Sequence, residues 1–303
     1  IRFIIISMLL FISYSCIKED LSNCATADEQ ALLYVKVIDA ITGEDISHSD
    51  DVDFVDLFIF QPDGKFLDHQ TVSTDTIRKG IPITIKSAST KDIWVSAWGN
   101  LKDNQNVSEI TKDCFIEHLT VLLKMKDDGY AANPDYLFFG LKQLSNSTLV
   151  KTKAQVYSEI IPISRKNARM HITVRGLPDN DSYYFTICKQ NNGYDFKGNP
   201  VNTAIDMRET GIFDKANDYH TPNAFNLIHV GSPDQCMTVN LHSSSLTKAN
   251  NIIASVSTDS KGNLIAPNAG ETTNILIDLT QGSEITVSME ITPWNVIYNW
   301  TTW

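Results

Sequence analysis

The chain has 303 residues, of which 42% are hydrophobic and 20% are charged. This is the composition of a globular protein with enough apolar side chains to bury a core, and it excludes an intrinsically disordered chain. The length predicts two domains. Lys and Arg together number 25 against 36 Asp and Glu, a formal net charge of -11. That balance excludes a nucleic acid as partner, because its phosphates require clustered positive charge.

The first sixteen residues have the pattern of a lipoprotein leader. Residues 1–12 are almost wholly apolar, and Arg2 carries their only charge. About a dozen apolar residues cannot cross a bilayer core of ~30 Å, but they match the hydrophobic part of a signal peptide. Ser13 and Ser15 are small residues at positions -3 and -1 from Cys16, as cleavage by a signal peptidase requires. We predict that residues 1–15 are a signal peptide and that Cys16 is lipidated.

The residues after Cys16 predict where the lipoprotein goes. Lys18, Glu19 and Asp20 resemble the surface-export signal of lipoproteins in Bacteroidetes-type bacteria, so we expect residues 16–29 to be a lipidated tether on the outer face of the outer membrane. A solvated tether with arbitrary charges is the alternative. Ser13 stands where a lipoprotein leader usually has Leu, so a plain secretory signal is a second alternative. A membrane-spanning anchor is a third alternative, although no further apolar residues extend the stretch 1–12.

From residue 30 onwards the main signal is the alternation of apolar and polar residues typical of half-buried strands. Gln61, Pro62, Asp63 and Gly64 have the chemistry of a tight turn and predict a hairpin between two strands. Many short strands with frequent turns indicate an all-β fold of the sandwich type. The predicted strands are 33–37, 55–60, 65–72, 80–85, 93–98, 135–140, 160–163, 168–174, 183–188, 235–242, 252–257, 273–279 and 284–291.

Two segments depart from the strand pattern. Residues 108–126 have apolar side chains at three- and four-residue spacing, which predicts one or two short helices inserted between strands. Residues 189–230 are polar and rich in turn residues, and we expect a long irregular excursion there. The border between domains is placed between Phe139 and Arg169. We predict an N-terminal β-sandwich domain at 30–160 and a C-terminal β-sandwich domain at 161–303.

The sequence contains no linear motif of a known catalytic centre. The nucleophile-elbow, zinc-protease, P-loop and dinucleotide-binding patterns are missing, and none of the seven His lies four residues from another. We therefore predict no enzyme activity, no cofactor and no metal site. A triad or a carboxylate pair assembled in space leaves no linear trace, so a secreted hydrolase is an alternative. The cysteines expected in the mature chain could form up to two disulfides or be small buried side chains; they are Cys24, Cys114, Cys188 and Cys236.

Two residue clusters have both a functional and a structural interpretation. The acidic stretch 44–53 could supply calcium ligands, but its spacing favours a solvated loop. The C-terminal aromatics could stack on sugar rings, or they could form the inward face of a last strand, since Trp294, Tyr298 and Trp300 fit a two-residue period. We favour packing. Trp303 completes this aromatic cluster.

Several motifs in a fixed order resemble the FimB/Mfa2-type fimbrial anchoring lipoproteins of Bacteroidales. The start 16–24 (CIKEDLSNC) is similar to the lipidated start of that family, with a second Cys eight residues after the first. The other matching stretches are 55–64 (VDLFIFQPDG), 94–100 (WVSAWGN), 137–140 (LFFG), 161–177 and 291–294 (ITPW). The similarity is good from residue 16 to residue 177 and looser beyond.

The resemblance implies two transthyretin-like β-sandwich domains in tandem and a protein that Cys16 lipids hold in the outer membrane. It implies a fimbrial anchor or accessory assembly subunit at the base of a fimbrium. Its partners would be major or accessory pilin subunits, bound by strand complementation, in which one subunit lends a strand to another. A surface glycan-binding lipoprotein is the alternative function, and it would need two or three exposed Trp or Tyr rings coplanar on one face.

Overall fold

The computed structural model describes residues 29–87, 92–144, 157–179, 181–201, 203–232, 235–245, 251–282 and 284–300. The first group of elements ends at residue 165 and consists almost entirely of strands. They are β1 (Glu29–Val37), β2 (Phe54–Phe60), β3 (Phe66–Ser73), helix α1 (Thr74–Arg78), β4 (Ile83–Ser87), β5 (Ile93–Gly99), β6 (Gln105–Val107), a 3-10 turn (Ile116–His118), β7 (Val121–Leu123), β8 (Phe138–Leu144) and β9 (Tyr157–Arg165).

Seven of these strands form one long sheet in the order β3-β2-β5-β8-β9-β1-β4. Strands β8 and β9 pair only through Phe138 and Phe139, opposite Arg165 and Ser164. The sheet folds over at this short junction, so apolar residues of β2 and β5 meet those of β1 and β9 in one buried cluster. The predicted hairpin is confirmed, because β2 and β3 pair antiparallel across the 61–64 turn.

Strand β2 is buried on both faces, which explains its nearly continuous apolar sequence. Leu57 and Ile59 point into the cluster shared with β1 and β9. Phe58 and Phe60 point the other way, into a second cluster that continues into the C-terminal half. The half that contains β2 therefore contributes side chains to both hydrophobic cores.

The second group of elements begins at Asn167, so the chain passes from one group to the next through Lys166 alone. Its strands are β10 (Asn167–Arg175), β11 (Tyr183–Asn191), β12 (Gly193–Tyr194), β13 (Ala204–Thr210), β14 (Ile212–Phe213), β15 (Tyr219–His220), β16 (Phe225–Ile228), β17 (Thr238–Ser243), β18 (Ile252–Val256), β19 (Glu271–Asp278) and β20 (Thr286–Pro293).

These strands form two sheets that enclose the second core. One has the order β14-β15-β10-β19-β20, with β16 also paired to β10, and the other has the order β13-β11-β17-β18. Ile172 and Val174 of β10 pack with Phe185 and Leu241 of the facing sheet. A small sheet, β12-β7-β6, connects the two groups of strands. The all-β fold class is confirmed, whereas the domain bounds 30–160 and 161–303 stay predictions.

The helices predicted over 108–126 are wrong apart from the 3-10 turn at Ile116–His118. The backbone here bonds to distant partners instead. The Ser108 N–H donates to the Thr120 C=O at 3.0 Å, and the Leu123 N–H donates to the Asn192 C=O at 2.7 Å. These long-range bonds outweigh a weak helical preference. The irregular excursion predicted over 189–230 contains all of β13, together with four strands of two to four residues that are too short to show alternation.

The aromatic strand predicted at the C-terminus is also wrong. Strand β20 ends at Pro293, and the Val296 N–H donates to the Pro293 C=O at 2.9 Å, which turns the chain. The segment 294–300 then crosses the outer face of the β10–β19 pair, bonded by side chains rather than by a ladder. The Arg169 guanidinium donates to the Trp294 C=O at 3.1 Å, and the Tyr298 N–H donates to the Asn274 side-chain oxygen at 3.0 Å.

Candidate subunit-docking site

The residues predicted to carry the lipid and the export signal lie outside the described residues, which begin at Glu29. Cys16, Lys18, Glu19 and Asp20 are therefore assigned from the sequence alone, and their roles stay predictions. The described part of the chain contains open strand edges, and an open edge is where a strand of another subunit could pair.

Within the described ranges, the three larger sheets end in β3, β4, β13, β14, β18 and β20, each of which pairs with one neighbouring strand. The edge of β3 is polar and partly covered. Asp68 and His69 on it are exposed, and the Phe66 N–H donates to the Cys114 C=O at 2.9 Å. Charged residues on an edge oppose pairing with a further strand. An open edge that lies beside apolar surface suits an added strand better.

Strand β20 has such an edge. The Val287 N–H donates to Ser260 Oγ at 2.8 Å, and the Val287 C=O accepts the Ser260 N–H at 2.9 Å, both on the side away from β19. Because the direction of the backbone groups alternates along an antiparallel strand, those of Met289 and Ile291 also point away from β19. In the described part of the chain no bond from these outward groups is found. Met289 and Ile291 thus offer four backbone groups to an added strand.

A groove of about 630 Å³ runs beside these groups. Met289 and Ile291 form one wall, and Val230, Leu264 and Ala266 lie among the residues of the other. Met289 and Val230 both pack against the second core, so the groove opens directly onto it. Leu264 is 38% exposed and Ile291 is 46% exposed. An extended segment placed here could pair with the edge and cover these apolar side chains.

The acidic stretch 44–53 does not form a calcium site. Its carboxylates diverge to separate cations instead of converging. Asp45 pairs with Lys36 at 3.0 Å, and hydrogen bonds from Ser47, aided by Lys36, lower the pKa of Asp45 to about 2. Among the residues that the structure describes, no group of three or more His, Cys, Asp or Glu side chains could hold a metal.

One of these ion pairs ties the acidic stretch to the junction of the two halves. Asp51 lies 2.7 Å from the Arg165 guanidinium, which is 6% exposed. The same guanidinium lies over the Phe138 ring at 4.8 Å and over the Trp294 ring at 4.5 Å. Burial lowers the pKa of Arg165, and Asp51 opposes that effect. The stretch therefore stabilises the junction.

The aromatic residues do not form a flat sugar-binding platform. Trp98 and Trp294 are buried, and Trp94 and Trp300 are partly buried. The rings of Tyr298 and Trp300 meet edge to face, at 4.7 Å and 63°. The preference for packing is confirmed for Trp294, while Trp303 lies outside the described residues.

The three cysteines within the described ranges are free thiols of intermediate exposure, so none of them is the buried side chain that was one of the two expectations; they are Cys114, Cys188 and Cys236. Cys24 lies outside the described ranges. In the residues that were described, no helix has both the length and the apolar composition needed to cross a membrane.

The docking edge itself was missed in the sequence. The strand was predicted at 284–291, but alternation gives the same pattern for a central strand and for an edge. The opposite wall of the groove comes from residues 230 and 264, far away in the chain. The sequence itself carries no sign of the exposure of Ile291 or of the missing neighbour.

The comparisons with known proteins agree with this architecture. The family model of Fimbrillin-A associated anchor proteins Mfa1 and Mfa2 matches residues 21–300. The chain is 25% identical over 299 residues to the major fimbrium anchoring subunit FimB of Porphyromonas gingivalis, covering 93% of this chain and 91% of that one.

Solved structures show the same fold. The fimbrial anchor protein Mfa2 of Porphyromonas gingivalis has a TM-score of 0.64 at 16% identity, over 90% of this chain and 100% of that one. Putative polysaccharide binding proteins of Bacteroides thetaiotaomicron give 0.65 at 15% identity, over 90% and 99%. The resemblance drawn from the sequence motifs is confirmed: the chain belongs to the family of Fimbrillin-A associated anchor proteins Mfa1 and Mfa2.

Proposed function

We propose that this protein is a surface lipoprotein that anchors a fimbrium to the outer membrane. The observation that carries the proposal is the match of the anchor-protein family model to residues 21–300, which covers both groups of strands. The family is one of structural fimbrial proteins and not an enzyme family, in keeping with the missing catalytic motifs. An anchor needs two attachments, one to the membrane and one to a pilin.

The membrane attachment is the lipid on Cys16. Acyl chains contribute roughly 0.8 kcal/mol for each buried CH₂, and more than one chain makes anchoring stable. Twelve residues, 17–28, separate Cys16 from the first described residue at the start of β1. An extended chain spans at most ~3.5 Å per residue, so β1 starts within about 40 Å of the membrane surface. Lys18, Glu19 and Asp20 in this tether would direct the protein to the cell exterior.

Exchange of Cys16 tests this attachment, and the chain offers a matched control. We expect Cys16→Ala to move the protein from the membrane fraction to the soluble fraction and to increase shedding of fimbriae into the medium. Cys24→Ala removes a thiol eight residues later and should leave both readouts unchanged. Unaltered membrane fractionation of Cys16→Ala would refute the lipid attachment. Mass spectrometry of the mature chain gives the same answer independently.

The pilin attachment is strand complementation at β20. A strand from a major or accessory pilin would pair with the outward groups of Met289 and Ile291, and its side chains would cover Val230 and Leu264. This edge is favoured over β3, since an apolar groove lies beside it, with Met289 and Ile291 on one side and Leu264 on the other. Backbone pairing supplies affinity, and the apolar groove supplies specificity.

Two isoleucines of similar exposure test the groove. Ile291, at 46% exposed, lines it, whereas Ile285, at 41%, lies before β20 and outside it. Ile291→Asp places an unpaired charge against the incoming strand. We expect it to abolish co-purification of pilin with the anchor, whereas Ile285→Asp retains pilin. Equal retention by both variants would exclude this edge while leaving the lipid attachment untouched.

A further inference from the structure

Another groove, about 700 Å³ in volume, lies on the outer face of β1 and β9, in the half of the molecule that follows the tether. Tyr34 and Lys36 of β1 line it, because they alternate with the buried Val35 and Val37 and so point away from the core. Ile160 of β9 pairs with Tyr34 and is 44% exposed. The groove therefore has exposed apolar surface on the strand beside the one that continues from the tether.

Cations outnumber anions among the side chains that line this groove. The cations are Lys36, Arg78, Lys79 and Lys142, and the anions are Asp45 and Glu159. The groove beside β20 differs, since Glu290 is the one charged residue among its described lining residues. The groove at β1 is thus a basic surface on a chain with a formal net charge of -11, and we call it the basic groove.

Two of the four cations, Arg78 and Lys79, pair with carboxylates that lie outside the basic groove. Their partners are Asp50 and Asp75, whose side chains are 99% and 74% exposed. Neither of these carboxylates lines the groove. Because exposed ion pairs contribute at most about 1 kcal/mol, an acidic segment in the groove has to displace only two weak pairs.

The tether has the complementary chemistry and enough length. Glu19 and Asp20 are consecutive carboxylates, and the apolar Leu21 follows them. Nine residue steps separate Asp20 from Glu29, where β1 begins, and they allow about 30 Å of extended chain. Lys36 lies seven steps beyond Glu29, or about 23 Å along the strand. The acidic pair can therefore reach the basic groove when the tether folds back along β1.

The tether is also the occupant that the connectivity favours. Both edges of β1 are already paired, with β4 on one side and β9 on the other, so the tether cannot add a strand there and has only the face to lie on. A segment joined to its site by a short flexible linker has an effective concentration of about millimolar. Weak contacts that would not hold a free acidic peptide are therefore enough to hold the tether.

We propose that the acidic pair of the tether and the Leu21 that follows it lie in the basic groove. The two carboxylates bind Arg78 and Lys79, and Leu21 packs on Ile160. The consequence for the membrane rests on the proposed lipid on Cys16. That lipid is then attached three residues before the docked segment, so the outer face of β1 and β9 lies against the membrane.

Carbodiimide cross-linking of the purified full chain in detergent tests the docking, because the reagent joins a carboxylate directly to an amine in contact with it. We expect mass spectrometry to find peptides that join position 19 or 20 to Lys79 or Lys36. Lys215, exposed in the C-terminal half, should give no such peptide. Raising the salt concentration from about 0.1 M to about 1 M should lower the yield, since salt screens exposed charges.

Charge reversal separates docking from chance contact. Lys79→Glu should lower the yield of the cross-link to Lys36 by about threefold or more, and Lys215→Glu should leave it unchanged. Glu19→Lys combined with Lys79→Glu restores opposite charges, and a cross-link between positions 19 and 79 should return. Both positions of reversal are exposed in the described chain, Lys79 at 64%, so folding is retained.

The docking and the lipid attachment can fail separately. Cys16→Ala should keep the cross-links, because docking needs no lipid, whereas its membrane fractionation tests the lipid alone. Absence of any cross-link from positions 19 and 20 to a lysine of the basic groove would overturn the proposal. A yield that Lys79→Glu leaves unchanged would also overturn it, as would a cross-link from these lysines to a pilin in place of the tether.

Discussion

Strands β2 and β20 have similar lengths but opposite surroundings. Strand β2 pairs with a strand on each side, and each of its faces packs into a hydrophobic core. Strand β20 pairs with β19 alone and runs beside an open groove. The difference shows how one all-β chain can provide both a buried junction and the open edge at which we propose that a pilin docks. Strand β2 is held in place because it is buried on all sides. Strand β20 lacks a second neighbour, so its edge is open to a strand from another subunit.

The largest effect should come from the doubly buried region. Trp98 on β5 is fully buried, with ring centroids 4.6 Å from Phe139 and 5.7 Å from Tyr194. Trp98→Ala removes a large side chain where the two halves meet, so we expect the free energy of unfolding to fall by about 3–5 kcal/mol. Trp94→Ala, at a partly buried position on the same strand, should cost less. Urea unfolding measures both free energies. A loss below about 1 kcal/mol for Trp98→Ala would show that this region is no more important for stability than the open edge.

The same junction should weaken in acid. Burial, reinforced by the charge of Lys166, lowers the pKa of His229 to about 4, whereas the unfolded value is about 6.5. Between these values the unfolded chain binds a proton that the folded chain does not, so stability falls as the pH drops from about 6.5 towards 4. His229 alone should account for a loss of up to about 2 kcal/mol between pH 7 and pH 5.

Variants separate this histidine from the others. His229→Gln should remove part of the decline in unfolding free energy measured between pH 7 and pH 5, and His171→Gln should remove a further part, because burial also lowers the pKa of His171 to about 4. If His229→Gln follows the same pH dependence as the unaltered chain, the buried neutral histidine is not the cause.

The two partners of the ion pair at the junction, Asp51 and Arg165, should differ in how much stability is lost when each is replaced. Asp51→Asn leaves the buried Arg165 charge without its carboxylate partner, and we expect a loss of about 2 kcal/mol, moderated because Asp51 is 32% exposed. Arg165→Met removes the buried charge and fills the space between Phe138 and Trp294, so it should cost less. Thermal or urea unfolding ranks the two. A larger loss for Arg165→Met would mean that the guanidinium stacking, rather than the pair, stabilises this corner.

The smallest effect on stability should come from the open edge. Ile291→Asp and Ile285→Asp each change an exposed side chain, so both should shift the free energy of unfolding by less than about 0.5 kcal/mol. A large fall in the free energy of unfolding for Ile291→Asp would show that Ile291 belongs to the folded core and does not line an open groove. Any loss of pilin binding by that variant would then need a different explanation.

The success of the sequence-based predictions also differs between enclosed strands and open edges. Central strands carry their own signal, because burial imposes alternation or a continuous apolar run, and β2, β5, β10 and β19 were all predicted. The hairpin between β2 and β3 was predicted from its turn residues. Edge status carries no such signal, since it depends on which strand is missing beside β20.

The errors have a common cause, which is that local spacing misleads where long-range contacts decide. The apolar spacing over 108–126 imitates a helix, but its backbone bonds to distant residues. The two-residue period of the C-terminal aromatics imitates a strand, but Pro293 ends β20 and the chain turns.

Site-specific photo-crosslinking in cells that assemble fimbriae tests the central claim most directly. A benzophenone amino acid replaces Ile291 in the groove, Ile285 outside it, or His69 on the β3 edge. The account predicts a covalent adduct with a pilin from position 291 and none from positions 285 and 69. An adduct from position 69 without one from position 291 would contradict it, since the pilin would then dock on the opposite half of the molecule.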